Sequence, residues 1–170
     1  VVRYGNVIPS RGSVIPFFKD ISLNSKLNYF PVTHKDMTRF LISLEEGVMA
    51  VMFALKHQKG GEIFVPKLPS IKIVDICKTL NKNKAIKFIG IRPGEKIHEE
   101  MITKSDSYYT LDFGDHYVIF SSSSFNKIEE YLSSNKATKV SKDFSYSSDT
   151  NNSWLTVGEI RSLLKNIVLG

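Results

Sequence analysis

Apolar and β-branched residues alternate with polar ones over residues 1–8, "VVRYGNVI", which predicts a strand that the cluster Pro9, Ser10, Arg11 and Gly12 ends. The stretch "FFKDISLNSKLNYFPVTHKDMTRFLI" mixes short apolar runs with polar breaks and keeps no single period. A helical period then takes over in "SLEEGVMAVMFALKHQKGG". Ser43 and Glu46 have the spacing of a capping box, Val48, Val51, Met52 and Leu55 recur at helical intervals, and Gly60 and Gly61 stop the run. "EIFVP" (62–66) follows as a short buried-type strand. "SIKIVDICKTL" (70–80) predicts an amphipathic helix with Ile73, Val74, Cys77 and Leu80 inward.

"AIKFIGI" (85–91) predicts a further strand, running into "RPGEKIHEEMI", a Pro-Gly turn followed by a short helix. "HYVIF" (116–120) is another strand, and the alternation of strands with helices places the chain in the α/β class. Between Ser121 and Ser153 the composition shifts to Ser, Asn, Lys and Asp, with four consecutive serines at 121–124, which predicts a polar, loop-rich, partly mobile excursion. Order returns in "WLTVGEIRSLLKNIVL". Thr156 and Glu159 make a second capping box, and Ile160, Leu163, Leu164 and Ile167 form the apolar face of a closing helix.

At 170 residues, 42% hydrophobic and 24% charged, the chain can build one domain with a real core. The net charge of +6 is spread over scattered Lys and Arg without a basic run, so it reads as a solvated lysine-rich surface and not as a nucleic-acid footprint. The single cysteine, Cys77, sits at an apolar helical position and cannot form an internal disulfide, which favours packing in a reducing compartment such as the cytoplasm. No apolar run approaches the ~20 residues that span a membrane, and the N-terminus lacks the regions of a signal peptide, so no membrane partner is expected.

Several chemistries lack their residues. The histidines at 34, 57, 98 and 116 are dispersed, and His98-Glu99-Glu100 lacks the second His of a zincin helix, so no metal is expected. There is no G-x-G, no Tyr-x-x-x-Lys pair and no G-x-S-x-G. What remains is a set of groups suited to anions and sugars. Arg39 and Arg92 stand where apolar segments meet loops, and their guanidinium forks either grip a diphosphate bidentately or serve as surface ion-pair partners. Glu95, across a Pro-Gly turn from Arg92, can accept from two sugar hydroxyls. Asn6 either donates to an anionic oxygen at a strand end or shapes a turn. Arg11 and Ser13 either extend the anion site or, for Ser13, cap the next helix.

Taken in order and spacing, "RYGNV", "SRGSVIPFF", "PVTHKDMTRF", "LEEGV", "GGEIFVPKLPSIKI" and "GIRPGEKIHEEMI" resemble the C-terminal portion of the nucleotide-sugar 4,6-dehydratases of the extended short-chain dehydrogenase class. The branch most similar is the inverting UDP-N-acetylglucosamine 4,6-dehydratases, which open routes to pseudaminic acid and related surface sugars, and "YSSDTNNSWLTVGEIRSLL" resembles their C-terminal end. The resemblance implies the late strands of a Rossmann sheet and a nucleotide-sugar lobe over 1–120, then a polar excursion and closing helix over 121–170. It further implies that the part holding the glycine loop for NADP and the catalytic Tyr and Lys is absent, so that the chain is a fragment or split gene product, inactive alone.

By the same resemblance Tyr4 approaches the nicotinamide, Asn6 the diphosphate, and the backbone around Val32 and Thr33 the uracil. Arg39 and Arg92 clamp the diphosphate and Glu95 takes the ribose hydroxyls. Pro9 stands where the resemblance places Gly, which removes a backbone N–H from any phosphate contact. The implied reaction is a lyase step: NADP+ takes hydride from C4 of the sugar, water leaves from C6, and hydride returns to C6, with inversion at C5. The implied partners are a UDP-sugar and further copies of the enzyme in a homo-oligomer. Two other readings stay open, a non-catalytic subunit that pairs with a separate cofactor subunit and an epimerase or reductase of the same superfamily.

Overall fold

Gly5 divides the predicted first strand. A Cβ on it would lie 2.5 Å from both the Cβ and the carbonyl oxygen of Phe40, so only glycine lets the two backbones approach this closely. Before Gly5, Val2 bridges Phe64 in parallel, with Arg3 N donating to Phe64 O and Phe64 N to Val1 O, each at 2.9 Å. Beyond it the chain joins a different sheet. The computed structural model describes residues 1–8, 10, 13–24 and 26–168. The expectations placed on Pro9 and Arg11 lie outside the described residues, as does the side chain of Ile167.

In chain order the elements are β1 (Asn6–Ile8), α1 (Val14–Leu23), β2 (Tyr29–Val32), β3 (Thr38–Ser43), α2 (Leu44–His57), β4 (Ile63–Pro66), β5 (Ser70–Lys72), α3 (Ile73–Leu80), β6 (Ala85–Phe88) and β7 (Glu100–Ile102). A 3-10 turn (Asp106–Tyr109) leads to β8 (Thr110–Asp112), β9 (His116–Ile119), α4 (Phe125–Ser133), β10 (Thr138–Lys139), β11 (Tyr146–Ser147) and α5 (Val157–Val168). β1 pairs with β3 in parallel, Asn6 opposite Leu41, and β3 pairs with β5 antiparallel. β2 and β6 form a parallel pair, β7 and β11 an antiparallel one, and an antiparallel sheet runs β10-β8-β9-β4.

Three apolar clusters hold these layers together. The first joins α1, β2, α3 and α5 around Phe18, Phe30, Ile76, Cys77 and Ile160, with Phe18 and Phe30 edge-to-face at 5.7 Å. Burial pushes the Cys77 thiol up to about 12, which keeps it neutral as a packing group. The second gathers Phe40, Val65, Ile102 and Tyr146. There the Tyr146 hydroxyl accepts from Leu68 N (2.7 Å) and donates to Leu68 O (3.0 Å), satisfying a phenol that burial pushes up to about 12. The third packs α4 on the antiparallel sheet through Phe64, Val118, Phe120 and Ile128.

Four sequence expectations change in the fold. Residues 70–72 are strand and not helix, because Ser70 and Ile71 pair with β3 and Ser70 also bridges Trp154. No helix follows the Pro-Gly turn at 93–94, since Glu100–Ile102 is drawn into a strand by β11. The polar excursion from 121 folds into α4, β10 and β11 and buries Ile128 and Tyr146, so it is part of the body. The fourth concerns α2, whose capping box forms as its spacing predicts, Ser43 Oγ accepting from Glu46 N and Glu46 Oε2 from Ser43 N. Its buried residues, however, are Gly47 and Ala54, while Val48, Met49, Met52 and Leu55 point outward. The second capping box, Thr156 with Glu159, forms at the start of α5.

Gly5→Ala is expected to destabilise the protein by about 1–3 kcal/mol through overpacking against Phe40, read as a lowered urea midpoint. Burial opposes the charge on Asp106, yet hydrogen bonds from Thr103 and the Arg3 guanidinium at 3.1 Å hold its carboxyl below its ordinary 3.8. A depressed carboxyl contributes stability that is complete above its unfolded pKa and is lost as pH falls through the folded one. Acid titration of the thermal midpoint is therefore expected to fall less steeply below pH 4 in Asp106→Asn.

Candidate functional site

The end of β2 and the turn after β6 are brought together because Ile89 N donates to Val32 O at 2.9 Å, extending the parallel pair by one bond. Beyond that bond the chain turns at Pro93 and Gly94, where Gly94 takes φ +80°, and Glu95 N closes onto Arg92 O at 3.0 Å. The Glu95 carboxylate accepts from Arg92 N at 3.2 Å and faces the Thr33 hydroxyl at 3.4 Å. These groups border a cleft of about 500 Å³ whose opposite wall is α1, with Ser13, Phe17 and Asp20. The Arg92 side chain is exposed and makes no hydrogen bond or ion pair among the described residues, so its fork is available to an anion.

A second opening of about 430 Å³ is lined by Arg3, Tyr4, Gly5, Lys96, Glu99 and Met101. Between the two lies a polar tie. Arg39 Nη1 donates to Thr38 O (2.7 Å) and Ile97 O (2.9 Å), and Nη2 donates to Lys96 O (2.9 Å). Its Nε stands 3.9 Å from Glu99 Oε1. The Glu99 carboxylate accepts from Asn6 Nδ2 at 2.9 Å and from Phe40 N at 3.0 Å. Glu99 N donates to Ser148 Oγ (2.9 Å), and Ser148 N donates back to Glu99 O (2.8 Å). The Ser148 hydroxyl meets the Thr38 hydroxyl at 2.7 Å, which meets His98 Nδ1 at 2.8 Å. Next to it a hydrogen bond from the Ser147 hydroxyl holds the Asp149 carboxyl below its ordinary value, against burial and with help from the nearby His98 ring.

Of the residues singled out in the sequence, the structure brings Val32, Thr33, Arg92 and Glu95 to one cleft. Tyr4 lines the second opening. Asn6 and Arg39 are turned inward, their donors occupied by Glu99 and by backbone carbonyls. Ser13 precedes α1 without a side-chain cap bond, but its hydroxyl-bearing side chain borders the cleft. Glu99, Thr38 and Ser148 were not legible as site residues. The spacing of His98-Glu99-Glu100 speaks only to metal ligation, and Ser148 lies in a stretch whose composition predicts a loop.

Comparison with known proteins shows the family. The family model described as polysaccharide biosynthesis protein matches residues 1–121. The chain belongs to this family. It is 45% identical over 170 residues to a UDP-N-acetylglucosamine 4,6-dehydratase (inverting) of Campylobacter jejuni, covering 98% of this chain and 51% of that protein. It is 37% identical over 171 residues to a UDP-glucose 4-epimerase of Rickettsia canadensis, covering 96% and 48%. The X-ray structure of Pen from Bacillus thuringiensis superposes with a TM-score of 0.79 at 32% identity, over 99% of this chain and 50% of Pen. The chain spans about half the length of the relatives it matches. The α/β fold expected from the resemblance to extended short-chain dehydrogenases is the fold observed. Among the described residues no helix is long and apolar enough to cross a membrane.

Glu99→Ala leaves Phe40 N without its side-chain acceptor and the Asn6 amide with only the longer contact to Phe40 O at 3.4 Å, and is expected to cost about 1–3 kcal/mol. Amide exchange of residues 96–99 is expected to rise in that variant while exchange in α3 and α5 is unchanged.

Proposed function

We propose that this chain is the nucleotide-sugar-binding half of an NADP-dependent, C5-inverting UDP-N-acetylglucosamine 4,6-dehydratase, a lyase of the cytoplasm that serves surface-polysaccharide or pseudaminic-acid-type sugar synthesis. The observation that carries the reading is the free Arg92 fork beside the Glu95 carboxylate at the mouth of the cleft closed by Val32 and Thr33. In it Arg92 takes the diphosphate bidentately, Glu95 accepts from the ribose hydroxyls, and the backbone at Val32 and Thr33 reads the uracil edge. Phe17 offers an apolar wall to the base. Asn6 and Arg39 act one step back, fixing the 96–99 loop behind the site.

The second opening suits one end of a dinucleotide only. Tyr4 presents an exposed ring in the same opening as Lys96, a cation able to meet an anionic cofactor, while the Arg3 guanidinium is held by Asp106 and Met101 O, and the chain carries no G-x-G phosphate loop. NADP would therefore be held mainly by residues outside this chain. When bound it supplies hydride acceptance and return, giving net dehydration without consumption of cofactor. A second reading, UDP-sugar 4-epimerase, is favoured by relatives of that name over the same span, but at 37% identity against 45% for the dehydratase.

Isothermal titration of UDP-N-acetylglucosamine into the chain tests this. The expected result is binding that weakens at least about tenfold, or 1.4 kcal/mol, in Arg92→Ala, with UDP alone retaining most of the wild-type affinity. Equal binding by both proteins would remove Arg92 from the site. No binding by the wild-type chain would place the affinity outside this cleft.

A further inference from the structure

The segment "SYSSDT" (145–150) lies beyond the residues that the family model matches, yet it packs against the loop that carries Arg92 and Glu95. β11 brings it there by pairing with β7, Tyr146 opposite Ile102 and Ser147 opposite Glu100. Ser148, fully buried, then bonds Glu99 twice. Its amide donates to Glu99 O at 2.8 Å, and its hydroxyl accepts from Glu99 N at 2.9 Å.

From Glu99 the contacts continue as a line of hydroxyls. Ser148 Oγ stands 2.7 Å from Thr38 Oγ1, and Thr38 Oγ1 stands 2.8 Å from His98 Nδ1. The first member sets the direction of the line. A backbone N–H can only donate, so the Ser148 oxygen accepts from Glu99, and its own hydrogen has Thr38 Oγ1 as its acceptor among the described residues. The Thr38 hydrogen is then directed at His98 Nδ1, which accepts it. The reverse order, with Nδ1–H donating to Thr38 and Thr38 to Ser148, strands the Ser148 hydrogen in a residue with no exposed surface, and a buried unpaired donor is costly. An accepting Nδ1 places the ring proton on Nε2, the edge 4.0 Å from the Asp149 carboxylate. Asp149 itself accepts from the Ser147 hydroxyl.

We propose that Ser148, Thr38 and His98 are positioning residues of the cleft. Through this one-way line the C-terminal segment locks His98 as its Nε2–H tautomer and holds the 92–99 loop in the shape that presents Arg92 and Glu95. The loop runs between β6 and β7 without regular structure, so side chains must supply its order. Arg39 and the Thr38 amide reach only its backbone carbonyls, at Lys96 and Ile97. Those bonds leave the His98 ring to turn, and the hydroxyl line fixes it, three residues past Glu95. Linkage makes the relation reciprocal. A clasp that favours the loop shape suited to a nucleotide is itself tightened when a nucleotide binds. The effect on affinity rests on the nucleotide reading of the cleft, whereas the tautomer and the order of the loop in the free chain do not.

Imidazole 15N shifts of the parent chain in mildly alkaline buffer are expected to show His98 unprotonated at Nδ1 and protonated at Nε2. A protonated Nδ1 would overturn the proposal, and this measurement needs no variant to fold. Thr38→Val removes the hydroxyl at nearly constant shape and is expected to lower UDP affinity at least about fivefold in isothermal titration, while Thr38→Ser, which keeps the hydroxyl, stays within about twofold of the parent. Saturating UDP is expected to slow amide exchange at Glu99 and Ser148 in the parent and in Thr38→Ser, but not in Thr38→Val. A folded Thr38→Val that binds UDP as the parent does would overturn the proposal. If the parent binds no UDP, the nucleotide reading fails by itself and the free chain decides. Exchange at Glu95 N, bonded to Arg92 O at 3.0 Å, is then expected to quicken in Thr38→Val and not in Thr38→Ser, and equal exchange in the two would overturn the proposal.

Discussion

The tie between Arg39 and the loop that precedes β7 is the constraint on which the rest of the site depends. Three backbone carbonyls, of Thr38, Lys96 and Ile97, fill the guanidinium fork, and the Glu99 carboxylate two residues on is fixed by Asn6 and by Phe40 N. Together these bonds connect the parallel strands β1 and β3 to a segment with no regular structure of its own. An Arg suits this position because its planar fork can meet several carbonyls at once, which a lysine ammonium on a flexible stem does less well. The consequence runs toward Arg92 and Glu95. Their turn is anchored at one end by the bond from Ile89 N to Val32 O of β2 and at the other by this tie, so the exposed groups of the cleft stand on a fixed base.

The cleft and the Tyr4 opening differ in completeness. The first is built from α1, β2 and the 92–95 turn, all within this chain, and the first apolar cluster supports it from below through Phe18, Phe30 and Ile73. The second is bounded by the N-terminal segment, where the backbone groups of Val2 and Tyr4 have no backbone hydrogen bond among the described residues. Under the proposed function the first would hold the nucleotide without the second, whereas hydride transfer between cofactor and sugar would need both.

Apolar residues are distributed unevenly. Around α3 and α5 the amphipathic pattern ends in burial, with Ile76 and Cys77 at the centre and Ile160 packed on them. On α2 the helical spacing is equally regular but its band faces out, and small Gly47 and Ala54 let the helix lie close to the body. Periodicity alone cannot distinguish the two. It marks a face as apolar, not whether the fold covers it.

Local physics made some features readable from the chain. Both capping boxes form where Ser43-Glu46 and Thr156-Glu159 predict them, because a cap needs only residues three apart. The β4, β6 and β9 strands, the buried Cys77 and the gathering of Arg92 with Glu95 across a Pro-Gly turn were legible for the same reason. Partners distant in sequence decided the rest. Residues 70–72 became strand and 100–102 lost their helix because β3 and β11 supplied hydrogen bonds that no window on the sequence contains. Asn6 and Arg39 turned inward because Glu99, 93 and 60 positions away, lies next to them in space. The chain by itself fixed which groups can bind and cap. Tertiary structure alone decided which of them are already engaged, since a donor that meets a carbonyl or carboxylate inside the fold is no longer free for a ligand.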